Sequence, residues 1–215
     1  MTRGEIKRRI RLLGRHYFGS DSDQDPFGLD LLIIEVANQI ARSTDCYNGR
    51  RYLDLAADTT EYCAPDLYRI RNVQVLNTGG NWERMRIFDA YNRKVDMVRN
   101  DGSSAYPVIA VFTGPNKVAV YPPPAAAITQ GLMLEGFAIP GDYWVYDSNG
   151  VAQAMTDATE CPLPAVAHDC LVYGVLAQRA MQSKDVDGYQ MYQAQYVDRI
   201  GMVESFAATY FRRAV

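Results

Sequence analysis

The hydrophobic period of this chain changes twice along its length, and that change restricts the fold more than any other feature. Near the N-terminus Ile6, Ile10, Leu13 and Tyr17 recur at steps of four, three and four. That spacing puts them on one face of a helix with 3.6 residues per turn. From residue 50 the repeat shortens to two. "RRYLDLA" alternates, and "LYRIRNVQVL" alternates strictly, with Leu67, Arg69, Arg71 and Val73 facing one way and Tyr68, Ile70 and Asn72 the other. A period of two is that of a strand with one buried face. From Pro162 the helical period returns and lasts to the C-terminus.

Turn and cap signals divide these regions further. "GSDSDQDPFG" is a loop whose Asp25 can cap a second helix with Pro26 at its first position, where a missing N–H costs nothing. That helix carries Leu32, Ile33, Val36, Ala37 and Ile40 and ends near Ser43. "NTGGNW" is a turn, and "IFDAYNRKVDMVRN" reads as a short helix. "YPVIAVFTGPNKVAVYPPP" reads as strand, Gly-Pro turn and strand, with the prolines ending the second strand. "GLMLEGFAIP" is another strand, and Asn149-Gly150 in "YWVYDSNGVAQAM" is a hairpin signal. The segment from Pro164 to Met181 is apolar almost all round, so burial on more than one side is expected. A last helix from Asp185 carries Tyr189, Tyr192, Tyr196, Ile200, Val203, Ala207 and Tyr210 in one stripe.

The expected fold is therefore α+β. Two N-terminal and two C-terminal helices form a helical base from both chain ends, and an antiparallel, β-sandwich-like domain is inserted between them. The boundaries are 1–49, 50–156 and 157–215, with the last part packing on the first.

Composition excludes several classes. Hydrophobic residues at 48% and charged residues at 22% are those of a globular chain rather than a disordered one. A net charge of -3 gives no global attraction to nucleic acid or anionic membranes. No run approaches the roughly 20 apolar residues that span a bilayer, and the basic N-terminus lacks the apolar run of a secretory signal. Cys46, Cys63, Cys161 and Cys170 show no framework spacing and read as reduced thiols of a product made in the cytoplasm.

One cluster asks for chemistry. "CPLPAVAHDC" brings Cys161, His168, Asp169 and Cys170 within ten residues. On a helix, however, His168 and Cys170 point about 200° apart, so they cannot hold one metal ion together. Paired zinc ligands at CxxC or HxxxH spacing are not present. Cys170 falls on an apolar stripe with Val166, Tyr173 and Ala177, where a free cysteine acts as a small hydrophobe. "DSDQD" at 21–25 lacks the sixth-position Gly and twelfth-position Glu of a calcium loop. No cofactor or metal is expected. His16, on the basic first helix, is expected to be solvated. The basic residues there, Arg3, Lys7, Arg8, Arg9, Arg11 and Arg15, form a face for solvent or a partner, with DNA phosphates as the other reading.

The order of these elements resembles that of phage head-to-tail adaptor proteins, also called head-completion or neck connector proteins. "YLDLAADTTEYCAPDLYRIRNVQV" is similar to that family's first strands around a "P-D" turn. "YPVIAVFTGPNKVAVYPPPAAAITQGLMLEGFAIPGD" is similar to its paired strands, and "CPLPAVAHDCLVYGVLAQRAMQSKDVDGYQMYQAQYVDRI" to its closing helices. The segment 143–160 is longer than that pattern. The resemblance implies a structural, non-enzymatic virion protein that forms a homo-oligomeric ring, twelve-fold like the portal protein above it. The ring would extend the channel for genomic DNA, which passes without specific contact, and would dock tail or nozzle proteins at the neck. It also implies that His168 lies on a helix surface without catalytic duty. The last helix, about 26 residues and so about 39 Å long, would outrun a core whose radius of gyration is about 17 Å. Phe206, Tyr210, Phe211, Arg212 and Arg213 are then the expected portal contacts. The competing readings are a tail-tube or tail-terminator subunit, a hydrolase using Cys161 or Cys170 with His168, and a DNA-binding regulator using the basic helix.

Overall fold

The structure is a computed structural model that describes residues 1–18, 26–88, 106–141, 145–146, 152–153 and 156–210. It divides into two compact units. One is drawn from residues 1–47, 139–146 and 152–215, and the other is built on 48–138.

The first unit is helical. Helix α1 (Arg3–Leu13) opens on a reciprocal cap, in which Thr2 Oγ1 accepts the Glu5 N–H at 3.2 Å and the Glu5 carboxylate accepts the Thr2 N–H at 2.7 Å. Two more donors of its first turn are satisfied from far along the chain. The Arg3 N–H donates to the Thr159 carbonyl at 2.8 Å, and the Gly4 N–H to that of Asp157 at 2.9 Å. Ile6 and Ile10 are fully buried, as their spacing requires. Leu13 departs from expectation and is 41% exposed. The helix stops at Gly14 and resumes as a single turn, α2 (Arg15–Phe18), so the phase of the stripe is lost there and Tyr17 is only half-buried.

Helix α3 (Pro26–Thr44) starts at the expected proline, while Asp25 and the acidic loop before it lie outside the described residues. Helix α4 (Ala165–Gln182) is buried over most of its girth, and α5 (Val186–Tyr210) follows it. One core joins all four long helices through Ile6, Ile10, Ile33, Val36, Leu171, Leu176, Tyr196 and Val203 among others. Helices from both chain ends thus pack together. The tyrosines also close the ends of their neighbours. The Tyr192 hydroxyl donates to the Leu13 carbonyl at 3.2 Å, an acceptor left open where α1 ends.

The second unit holds two four-stranded sheets. The first has the order β1 (Asn48–Leu55), β8 (Ile128–Ala138), β3 (Leu67–Leu76), β4 (Trp82–Arg84). The second has the order β2 (Glu61–Cys63), β7 (Lys117–Tyr121), β6 (Ile109–Gly114), β5 (Arg86–Phe88). Pairing is antiparallel except between β5 and β6, which run parallel. Those two strands are separated by residues 89–108, long enough for the crossover that a parallel pair needs.

The strict alternation of β3 does not survive. Leu67, Ile70, Val73 and Val75 are all buried, because the register against β8 shifts between Leu67 and Arg69 and again between Ile70 and Asn72. Such irregularities flip the facing of every residue beyond them. The turn at 77–81 is held by the Asn77 carboxamide oxygen, which accepts the N–H groups of Gly79 and Asn81, each at 2.9 Å, with Gly80 at φ 77°. Of the segment read as a helix from Ile87, the first two residues belong to β5 and residues 89–100 lie outside the described residues. In the helical unit, β9 (Val145–Tyr146) and β10 (Ala152–Gln153) pair antiparallel around Asn149-Gly150, which also lies outside them.

Candidate docking surfaces

The cysteine–histidine cluster is part of the helical core. Cys161, His168 and Cys170 are 8%, 8% and 0% exposed. His168 is therefore buried, not on the helix surface as the family resemblance implied, because α4 is covered on most of its sides. Both ring nitrogens are engaged. Nε2–H donates to the Leu163 carbonyl at 3.0 Å, and Nδ1 lies 3.2 Å from the Met1 ammonium. Burial, and then the nearby positive charge, lowers its pKa below the usual histidine value. Burial pushes the thiols of Cys161 and Cys170 up to about 12. Thiols protonated at neutral pH are poor nucleophiles, and the Cys170 sulfur faces the Tyr196 carbonyl at 4.0 Å. Among the described residues no three His, Cys, Asp or Glu side chains are grouped to hold a metal ion.

The basic first helix is largely tied into its own unit. Arg3 and Lys7 converge on Asp30 of α3 at 2.6 and 2.8 Å, and Lys7 also reaches Asp157 at 2.8 Å. Arg9 pairs with Asp169 of α4 at 2.5 Å, and Arg199 of α5 approaches the same carboxylate at 3.7 Å. Asp30 and Asp169 thus link α1 to the three other long helices. Lys7 lowers the pKa of Asp157 by its hydrogen bond. Arg8 and Arg15 are exposed and Arg11 is half-exposed. His16 is solvated as expected, with its side chain 57% exposed and Nε2 3.9 Å from Asp185. The partners Asp30, Asp157 and Asp169 carry no local signal in the sequence, since they lie on other elements and become neighbours only through helix packing.

The final helix stays on its core further than its length suggested. Tyr192, Tyr196, Val203 and Ala207 are buried and Ile200 packs against them, so only the last turn projects. There Tyr210 is 66% exposed and its ring lies 4.6 Å from that of half-buried Phe206. Phe211, Arg212 and Arg213 lie outside the described residues. At the other end Asp185 caps the helix, accepting the Gly188 N–H at 2.9 Å and the Tyr17 hydroxyl at 2.5 Å. No described helix is long and apolar enough to cross a membrane.

The chain thus combines a helical bundle with a β-rich unit inserted in the sequence, and its cysteine–histidine cluster is buried in the helical core. The chain belongs to the SU10 adaptor protein family, whose family model matches residues 1–214. It is thus a bacteriophage adaptor, a structural component of the virion neck between head and tail. A comparison with curated proteins returned no match.

Proposed function

We infer that the protein forms a ring below the portal, extends the channel through which the genome passes and offers a docking surface to tail or nozzle proteins. Twelve copies, matching the portal, is the expected number. The C-terminus anchors the ring, through Phe206, Tyr210, Phe211, Arg212 and Arg213. The observation that carries this reading is the projecting last turn of α5, where Tyr210 stays 66% exposed beside Phe206. A tyrosine that is apolar along its ring and polar at its tip suits a surface buried on assembly, and burying it recovers roughly 25 cal/mol per Å² of apolar area. The exposed Arg8 and Arg15 face a partner rather than base edges.

Truncation after Ala207 tests the anchor, because it keeps the last fully buried residue of α5. The truncated chain should remain folded and lose binding to portal protein in a pull-down, and DNA-filled heads should accumulate without tails. Portal binding at the level of the full chain would reject an anchor made by Tyr210, Phe211, Arg212 and Arg213.

A further inference from the structure

Helix α5 carries apolar residues on two sides, and only one of them faces its own core. Opposite the buried Tyr192, Tyr196, Val203 and Ala207 runs a second stripe, Asp187, Met191, Ala194, Asp198, Met202 and Ser205, at steps of three or four. All six are exposed, Met191 and Met202 by 54% and 48%. A helix that meets only water on its outer side keeps polar residues there. Methionine is instead the side chain of adaptable contact surfaces. The pattern Asp-x-x-x-Met occurs twice on this stripe, at 187/191 and 198/202. The exposed charges of α5 are Asp187, Asp198 and Glu204, all negative. Asp198 keeps 64% of its side chain exposed beside a loose 3.8 Å contact with Arg199.

The same unit carries the complement. On α1 the arc away from Ile6 and Ile10 holds Arg8 and Leu12, four apart, and Arg15 follows in α2. Arg8 and Arg15 are exposed, and Leu12 is 66% exposed. One helix thus presents Arg-x-x-x-Leu and the other Asp-x-x-x-Met, at equal spacing and with opposite charge. Because both faces are exposed, they do not cover each other within one copy. Two different, complementary patches on one chain make a heterologous contact.

We propose that the outer stripe of α5 docks on the Arg8–Leu12 face of α1 in a second copy of this chain, Asp198 opposite Arg8 and Met202 opposite Leu12. This gives the ring reading above its subunit contact, while the contact itself can be measured without portal.

Disulfide trapping tests it. A Cys63→Ser background removes the exposed native thiol and leaves three buried ones. A tagged chain with Leu12→Cys is mixed with an untagged chain with Met202→Cys under mild oxidation. The mixed disulfide should exceed both homodimers well beyond the ratio of random pairing. Adding Arg8→Glu to the first chain should cut its yield about fivefold, the loss expected for one ion pair across an interface, and Asp198→Arg in the second should restore it. Random pairing, or a mixed yield indifferent to Arg8→Glu, would overturn the proposal. So would trapping of Met202→Cys by a cysteine-bearing portal protein but not by Leu12→Cys. Lost portal binding with the mixed disulfide intact would count against the portal reading alone.

Discussion

Replacing Gly174 by alanine puts one methyl group into the crossing of three helices. Its Cβ would stand 2.6 Å from Val36 Cγ1 on α3 and 2.9 and 3.0 Å from two ring carbons of Tyr196 on α5. Carbon atoms at rest are about 3.5–4.0 Å apart. Val36 and Tyr196 are 1% and 7% exposed, so neither has open space to turn into. Overpacking of this kind costs about 1–3 kcal/mol, and contact on two sides argues for the upper part of that range. The helix itself gains about 0.8–1.0 kcal/mol from Gly→Ala. Packing wins, and the net loss should be about 1–2 kcal/mol, or about 2–8 °C in Tm for a chain of this size. Gly201 on α5 is the control, because a Cβ there meets nothing within 4 Å. Gly201→Ala should keep the helical gain and raise Tm by about 1–4 °C. Thermal melts and urea titrations followed by far-UV circular dichroism read both. If Gly174→Ala also raises Tm, the α3–α4–α5 crossing yields freely and the close-packing argument is wrong.

The ion pairs and the thiols give further outcomes. Asp30→Asn leaves Arg3 and Lys7, 11% and 14% exposed, without their shared carboxylate, and should cost about 1.5–3 kcal/mol. Asp157→Asn, at a carboxylate 67% exposed, should cost under about 1 kcal/mol. Equal losses would show that solvent screens both sites alike. Because the folded pKa of Asp157 is depressed, its contribution is present above the unfolded value of 3.8 and fades as pH falls through the lower folded value. Acid titration of Asp157→Asn should accordingly show less loss in that window than the parent chain. In thiol labelling of the native protein at neutral pH, exposed Cys63 should react at once and Cys46, Cys161 and Cys170 only on unfolding. Fast labelling of Cys170 would reopen the nucleophile reading.

The element types were legible in the chain because hydrophobic period is a local property. Steps of three and four at Ile6 and Ile10, and from Tyr192 through Tyr196 and Val203 to Ala207, mark the faces that the structure buries. The alternation around residues 50 and 70 marks β1 and β3, and Pro26 and Pro164 mark helix starts. The packing role of Cys170 was legible for the same reason, since two residues on a helix cannot converge on one ligand.

What failed were the places where a neighbour distant in sequence decides. Ile70 turned inward because β8 shifts its register against β3, and Gly136 on β8 lies close against the backbone at Arg69 and Ile70. Leu13, the last residue of α1, stays half-exposed, and the helix ends at Gly14, where an added Cβ would stand 2.6 Å from Leu176 Cδ2. His168 was assigned to a surface by pattern, yet it is buried, with the Met1 ammonium and the Leu163 carbonyl at its two ring nitrogens. The basic helix read as a face for solvent or a partner, yet Arg3, Lys7 and Arg9 found Asp30, Asp157 and Asp169, up to 160 residues away. The sequence by itself determines which stretches are helix or strand and which stripe of each is apolar, because those follow from the repeat of side chains along one backbone. Only the tertiary structure decides which charges meet and which apolar stripe is left outside, because those depend on what another part of the chain brings within a few ångströms.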